Sequence, residues 1–365
     1  MKQVAAMKEA AETSKLSCGE LYSQFTAKKV IAILIVVGLL VVSVIVATML
    51  GAVSLSVGEV LRAIIARPFP GVESTAMTDV IVWHLRLPRI VMGIIAGAGL
   101  AIAGAAMQGS LRNPLVSPFT IGVASGATLG ASIAIILGFG LIGTGRFVVM
   151  GNAFLFAMAT ALVILGVGRL RGVTPESFLL VGIALMSFFG AATGLLQFVA
   201  TEGQLAAVVH WTFGSLTGST WTNILLVSIV LSVCIPVLIR YSWDLNAMSC
   251  GGDEVAKSLG VNCGRVRVVS MLLASLIAAA IITFTGLIGF VGLVAPHITR
   301  YLVGGDHRFL LPGACVLGAV LLVIADTLGR TVASPTVIPV GIIISIVGAP
   351  FFFFLLMRQR RQFWQ

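Results

Sequence analysis

Nine stretches of this 365-residue chain contain no Asp, Glu, Lys or Arg. They run Val30–Gly58, Ile90–Leu111, Phe119–Gly145, Phe147–Gly168, Phe178–Thr201, Leu205–Ile239, Val268–Pro296, Phe309–Ala325 and Thr331–Met357. Each is close to or above the roughly 20 apolar residues with which a helix crosses a bilayer. A tenth, weaker stretch, Gly286–Gly305, is interrupted by Pro296 and Arg300. With 58% hydrophobic and 10% charged residues, the chain has too little polar surface to cover a water-soluble globule of its size. A mean hydropathy of +1.10 and uninterrupted apolar runs select helices over a porin-type barrel, whose strands alternate apolar and polar residues. The fold class is an all-α integral membrane protein.

Basic residues orient such a bundle, because cytoplasmic loops carry an excess of Lys and Arg. Lys28 and Lys29 precede the first span and Arg358, Arg360 and Arg361 follow the last, so both termini are expected in the cytoplasm and the span number is even. Ten spans follow, with residues 1–29 a cytoplasmic segment, 30–357 a single transmembrane domain and 358–365 a cytoplasmic tail. Arg112, Arg169, Arg171, Arg240, Lys257, Arg265, Arg267, Arg300 and Arg308 then fall inside, and Arg62, Arg67, Arg86, Arg89, Arg146 and Arg330 outside. The net charge of +10 is scattered singly between apolar runs, which marks topology and argues against a nucleic-acid partner. The first apolar run is too long for a signal-peptide core and has no clear cleavage site, so it is expected to remain as a span. The five cysteines include no CxxC pair, so neither a disulfide framework nor a thiolate metal site is indicated. Glycines at helix-packing spacing (Gly93 and Gly97; Gly122, Gly126 and Gly130; Gly190 and Gly194) point to close helix contacts.

Three segments depart from plain apolar helix. The first external loop closes on Leu85-Arg86-Leu87-Pro88-Arg89, where positive charge runs against the inside bias. Arginines there either snorkel to lipid phosphates or capture carboxylates of a soluble partner. The polar stretch Ser249–Val261 is bounded by glycines and carries helical apolar spacing at Val255, Leu259 and Val261, which read alone is a connecting helix. Gly286, Gly289 and Gly292 lead into Pro296 and His297, so a regular helix is not expected there; broken backbone at membrane depth borders a cavity or is buried by protein. His297 and His210 lack partners at ligand spacing, so no metal site is assigned. No GxxxxGK[ST], HExxH or GxSxG occurs, so no phosphate loop or hydrolase motif, and no catalytic residue, is identified.

The ordered set LRLPR (85–89), GAGLAIAGAAMQ (97–108), RNPLVSP (112–118), IGVASGA (121–127), WTFGSL from Trp211, GLIGFVGLVAPHITR from Gly286, GDHRFLLPGA from Gly305, ADTLGR from Ala325 and PVGIIISIVGAPFFFFLL from Pro339 resembles the FecCD-type permeases. That family imports iron-siderophores, haem and cobalamin. The resemblance implies a ten-helix bundle like that of cobalamin-importer permeases (type II ABC importers), paired with a second copy around a central path in the cytoplasmic (inner) membrane. Two ATPase subunits, carrying the ATP and Mg, would bind inside and an external or periplasmic substrate-binding protein outside; this chain would hold no cofactor. Arg86, Arg89 and Arg330 match the arginines that dock acidic residues of the binding protein. Residues about 249–263 match the coupling segment, with Gly252, Asp253, Glu254, Val255, Leu259 and Gly260 facing the ATPase. Gln108, Trp211, Gly286, Gly289, Gly292 and Pro296 are expected at the translocation path or its gate. One departure is Val337, which stands between Pro335 and Pro339 where the family commonly has a glutamate. The competing readings are an ion-coupled secondary transporter, which would need acids buried in its spans, and a non-transporting scaffold or sensor.

Overall fold

The computed structural model describes residues 18–51, 55–67, 74–140, 145–170 and 174–358. Residues 1–17 of the expected N-terminal segment, Arg171, Arg360 and Arg361 lie outside the described residues. The described residues are overwhelmingly helical. Helix α1 (Cys18–Met49) already contains Lys28 and Lys29 and stops short of the expected Gly58. A second helix, α2 (Val57–Ala66), begins instead at a capping box, in which Ser56 Oγ accepts from Glu59 N and Glu59 Oε2 accepts from Ser56 N.

A short helix, α3 (Ala76–Val80), runs through a π-helical turn at Ile81–Arg86 into α4 (Leu87–Leu111). The wide turn sits just before Pro88, which has no N–H to donate and crowds the carbonyl one turn back. α4 ends where Arg112 turns left-handed at φ 50° and Asn113 N donates to Gln108 O at 3.2 Å. Next come α5 (Val123–Leu137), α6 (Arg146–Leu170) and α7 (Pro175–Val199).

The apolar run Leu205–Ile239 is not one span. It divides into α8 (Glu202–Thr212) and α9 (Trp221–Arg240), each opened by a threonine cap, Thr201 on Gln204 N and Thr220 on Asn223 N. Between them Gly214 takes φ 66°, and an added Cβ would lie 2.1 Å from Leu287 O. The run Val268–Pro296 is likewise cut. α10 (Ser242–Ser258) leads to α11 (Cys263–Thr285), which stops at Gly286 (φ 68°), and α12 (Val291–Val303) resumes after Phe290. The chain closes with α13 (His307–Thr331) and α14 (Val340–Arg358).

Among the described residues, seven helices are long and apolar enough to cross a membrane. Two shorter apolar helices, α5 and α14, fall in two more of the ten expected segments, and the weak tenth segment holds only the 13-residue α12 with Arg300 in its last turn. α4 is the central helix, packed chiefly on α13, α11 and α12. Glycine makes these crossings close: a Cβ at Gly97 would lie 2.3 Å from Gly318 O, and one at Gly104 1.7 Å from Gly292 O. Gly126 and Gly130 meet α6 in the same way, but Gly190 and Gly194 have nothing within 4 Å among the described residues. α7 instead exposes Leu180, Ile183, Phe188, Leu195 and Phe198.

Candidate functional site

The fold gathers Arg86, Arg89 and Arg330 at one end of the bundle, and all three are buried. The last turn of α1 explains why. Its final carbonyls have no partner within the helix and carry the negative end of the helix dipole. Arg86 Nη1 donates to Thr48 O and Met49 O, while Arg330 donates to Leu50 O at 3.0 Å and Ala47 O at 3.1 Å. Arg89 donates to Asp326 on α13, with Nε 2.8 Å from Oδ1 and 2.9 Å from Oδ2. Arg330 Nε lies 3.2 Å from the same carboxylate. Arg89 and Arg330 thus share one anion, and together with Arg86 they line a cavity of about 270 Å³ with Gly51, Leu85, Thr217, Pro335 and Val337. The position where the family commonly has a glutamate therefore faces the arginines. Nearby, Arg67 stacks over Trp83, and Trp221 Nε1 donates to Trp83 O at 3.0 Å.

The expected coupling segment lies at the opposite end, with the start of α1. Gly252 (φ 79°, ψ −172°) breaks α10 into two arms. In the second arm Glu254, Val255 and Leu259 are exposed, Val255 at 46% and Leu259 at 67%. Asp253 turns inward, where its carboxylate meets the guanidinium of Arg267. Hydrogen bonds from Arg267 hold that carboxyl below its usual range against the opposing effect of partial burial. Gly260 follows with φ 85°. Alongside, Asp306 caps α13 and accepts from Asn246 Nδ2 at 2.8 Å and from Arg308, with Lys29 4.0 Å away.

Of the expected path residues, Trp211 and Gly286 line one cavity of about 430 Å³, with His210, Ser215, Thr217, Thr283 and Thr285. The others sit elsewhere. Gln108 is fully buried between α4 and α12, with its Oε1 accepting from Arg300 at 3.3 Å and its Nε2 3.5 Å from Gly292 O. Gly292 approaches Leu100 O, Gly289 lies near Phe119, and Pro296 is buried within α12. His297 Nε2 lies 3.0 Å from Pro114 O, and its ring meets Phe352 edge-on. Among the described residues no three His, Cys, Asp or Glu side chains form a metal-binding group.

Sequence reasoning passed over Arg267 as a partner of Asp253 and did not connect Asp326 to the arginines. The i,i+4 spacing of Asp326 and Arg330 was a usable signal. Arg89 and Asp326, or Arg267 and Ser110, stand too far apart in the chain for any local rule to pair them.

Residues 39–358 match the model of the FecCD transport family. The chain is 45% identical over 352 residues to a putative ABC transporter permease protein of Methanocaldococcus jannaschii, covering 93% of this chain and 98% of that one. It is 37% identical over 316 residues to the hemin transport system permease protein of Yersinia pestis, covering 85% and 94%. A solved structure described as an inward-facing conformation of a putative metal-chelate type ABC transporter superposes with a TM-score of 0.78 at 30% identity, covering 90% of this chain and 99% of that one.

Proposed function

Because this chain belongs to the FecCD transport family, we propose that it is the membrane-spanning permease of an ATP-driven importer whose cargo is a metal chelate. The observation that carries the reading is the pairing of two unlike ends on one bundle. One end holds an arginine-rich cavity; the other presents a polar arm whose Val255 and Leu259 are exposed beyond the apolar spans, where lipid does not cover them. The arm suits a groove on a separate ATPase, which supplies ATP and Mg. The arginine end suits acidic residues of an external substrate-binding protein. Arg86, Arg89 and Arg330 are committed to internal acceptors, so docking acids share cations already in use.

The basic bias supports a reading in which the arm and both termini lie in the cytoplasm, and an importer of this family would sit in the inner membrane. A second copy is the occupant we assign to the apolar face of α7, where Gly190 and Gly194 leave room for close backbone approach. The chain itself does no covalent chemistry; it alternates access to the 430 Å³ cavity and the path beyond it. An ion-coupled transporter is disfavoured because Asp326, the buried carboxylate among the described residues, is clamped by Arg89 and Arg330 and is poorly placed to carry a proton or sodium ion. The test is ATPase activity of the complex with its ATPase and binding protein in lipid, challenged with haem, a ferric siderophore and cobalamin. Stimulation by one of them establishes the importer and names the cargo; failure to assemble with an ATPase overturns the reading.

A further inference from the structure

Both ends of α4 are tied to other helices through an arginine. At one end Arg89 grips Asp326 of α13. At the other, Ser110 lies in the last turn of α4, where main-chain carbonyls lack helical partners, and Arg267 Nε of α11 donates to Ser110 O at 3.1 Å. The same guanidinium reaches out of the bundle to Asp253: Nη1 lies 2.7 Å from Oδ2, and Nη2 donates to Oδ1. Arg267 is 2% exposed, so packing fixes its position. Asp253 is the first residue beyond the break at Gly252, and a Cβ at Gly252 would lie 2.8 Å from Nη1 of Arg112, the residue that caps α4. One guanidinium therefore bridges the exposed arm and the foot of the central helix.

We propose that Arg267 is a positioning residue for energy coupling: it makes the second arm of α10 and the foot of α4 move as one body. The inference rests on the importer reading above. Only a planar fork holds a carboxylate bidentately while a third N–H serves a carbonyl; a lysine ammonium is a point charge without that geometry. Stability alone is a weak reason for the arrangement, since a buried ion pair gains little over apolar packing. α4 spans roughly 37 Å at helical rise, and its close backbone contacts at Gly104 with Gly292 and at Gly97 with Gly318 would carry a displacement of the foot into α12 and α13.

The test uses the full complex of permease, ATPase and binding protein in proteoliposomes, with haem, ferrichrome and cyanocobalamin as probes. The readout is substrate moved per ATP hydrolysed. Arg267→Lys and the milder Asp253→Asn are expected to co-purify with the ATPase yet lower that ratio on the order of tenfold, a coupling loss of the size single network residues show. The double variant should be no worse than either single one, because both remove the same link, and Asp253→Glu should recover much of the ratio. If yield, transport and hydrolysis fall together and leave the ratio at the wild-type value, Arg267 is structural only and the proposal is overturned. If the wild-type complex responds to none of the probes, the importer reading fails and takes this inference with it.

Discussion

Arg89 and Asp326, 237 positions apart in the chain, meet at 2.8 Å inside the bundle and join α4 to α13. Arg330, one turn beyond Asp326, closes on the same carboxylate. The cluster is thus a structural joint as well as the floor of the arginine-lined cavity.

Removing one partner should expose that double role. Arg89→Met strips Asp326 of its bidentate partner in a buried site and is expected to cost about 3–5 kcal/mol, lessened by whatever Arg330 still supplies. The double variant Arg89→Met with Asp326→Leu should recover most of the loss. Thermal unfolding in detergent measures both, and a double variant as unstable as the single one would show that packing, and not the stranded charge, sets the cost.

Docking can be probed without disturbing the joint. Thr217 is exposed at the rim of the arginine-lined cavity. Thr217→Glu sets a carboxylate beside the three arginines, where it should compete with an acidic partner, weaken docking severalfold and flatten its salt dependence. Binding of the substrate-binding protein to permease in nanodiscs, measured across a salt series, gives the answer; identical curves for both proteins would remove this cavity from the docking surface.

On the opposite end, Val255→Ser with Leu259→Ser should leave the melting temperature nearly unchanged, because both side chains are largely exposed and exposed substitutions shift stability by about 0.5 kcal/mol or less. Co-purification with the ATPase should drop sharply. Retention of a normal complex would return the arm to the status of a plain connecting helix.

The capping network of α13 sets an acid limit. Burial opposes ionisation of Asp306, but hydrogen bonds from Arg308 and Asn246 and the charge of Arg308 outweigh it and hold the carboxyl down to about 2. The ordinary aspartate value is about 4. A carboxyl depressed in the folded state adds stability that is complete above the unfolded value and is lost as pH falls from about 4 through about 2. Wild type should therefore lose melting temperature across that window more steeply than Asp306→Asn, and parallel curves would mean that other acids dominate the acid limb.

Much of the architecture was legible because its causes are local. Length and apolarity mark the spans, since a helix must cross a fixed thickness of hydrocarbon with every backbone group satisfied internally. The break after Thr285 was legible from Gly286, Gly289 and Gly292 leading into Pro296. Where the reading of spans erred, a local signal was present but hidden inside an apolar run. Thr201 with Gln204 and Thr220 with Asn223 cap two helices within and just before the run read as one span, and Ser56 with Glu59 opens a helix beside the first. The glycine spacing at Gly97 and Gly126 gave real contacts, while the same spacing at Gly190 faced outward, because spacing says that one face is smooth and not what lies against it.

By itself the sequence determined that this chain is a membrane-embedded helical bundle of the FecCD kind, with basic residues concentrated at particular helix ends. Only the tertiary structure decided what those residues do there. It spent Arg86 and Arg330 on the open carbonyls of α1, set Arg89 and Arg330 on Asp326, turned Asp253 inward to Arg267 and left Val255 and Leu259 outward. The physical reason is that helix formation and bilayer insertion depend on neighbours within a turn or on composition over about 20 residues, whereas the partner of a buried charge is fixed by which helices pack together.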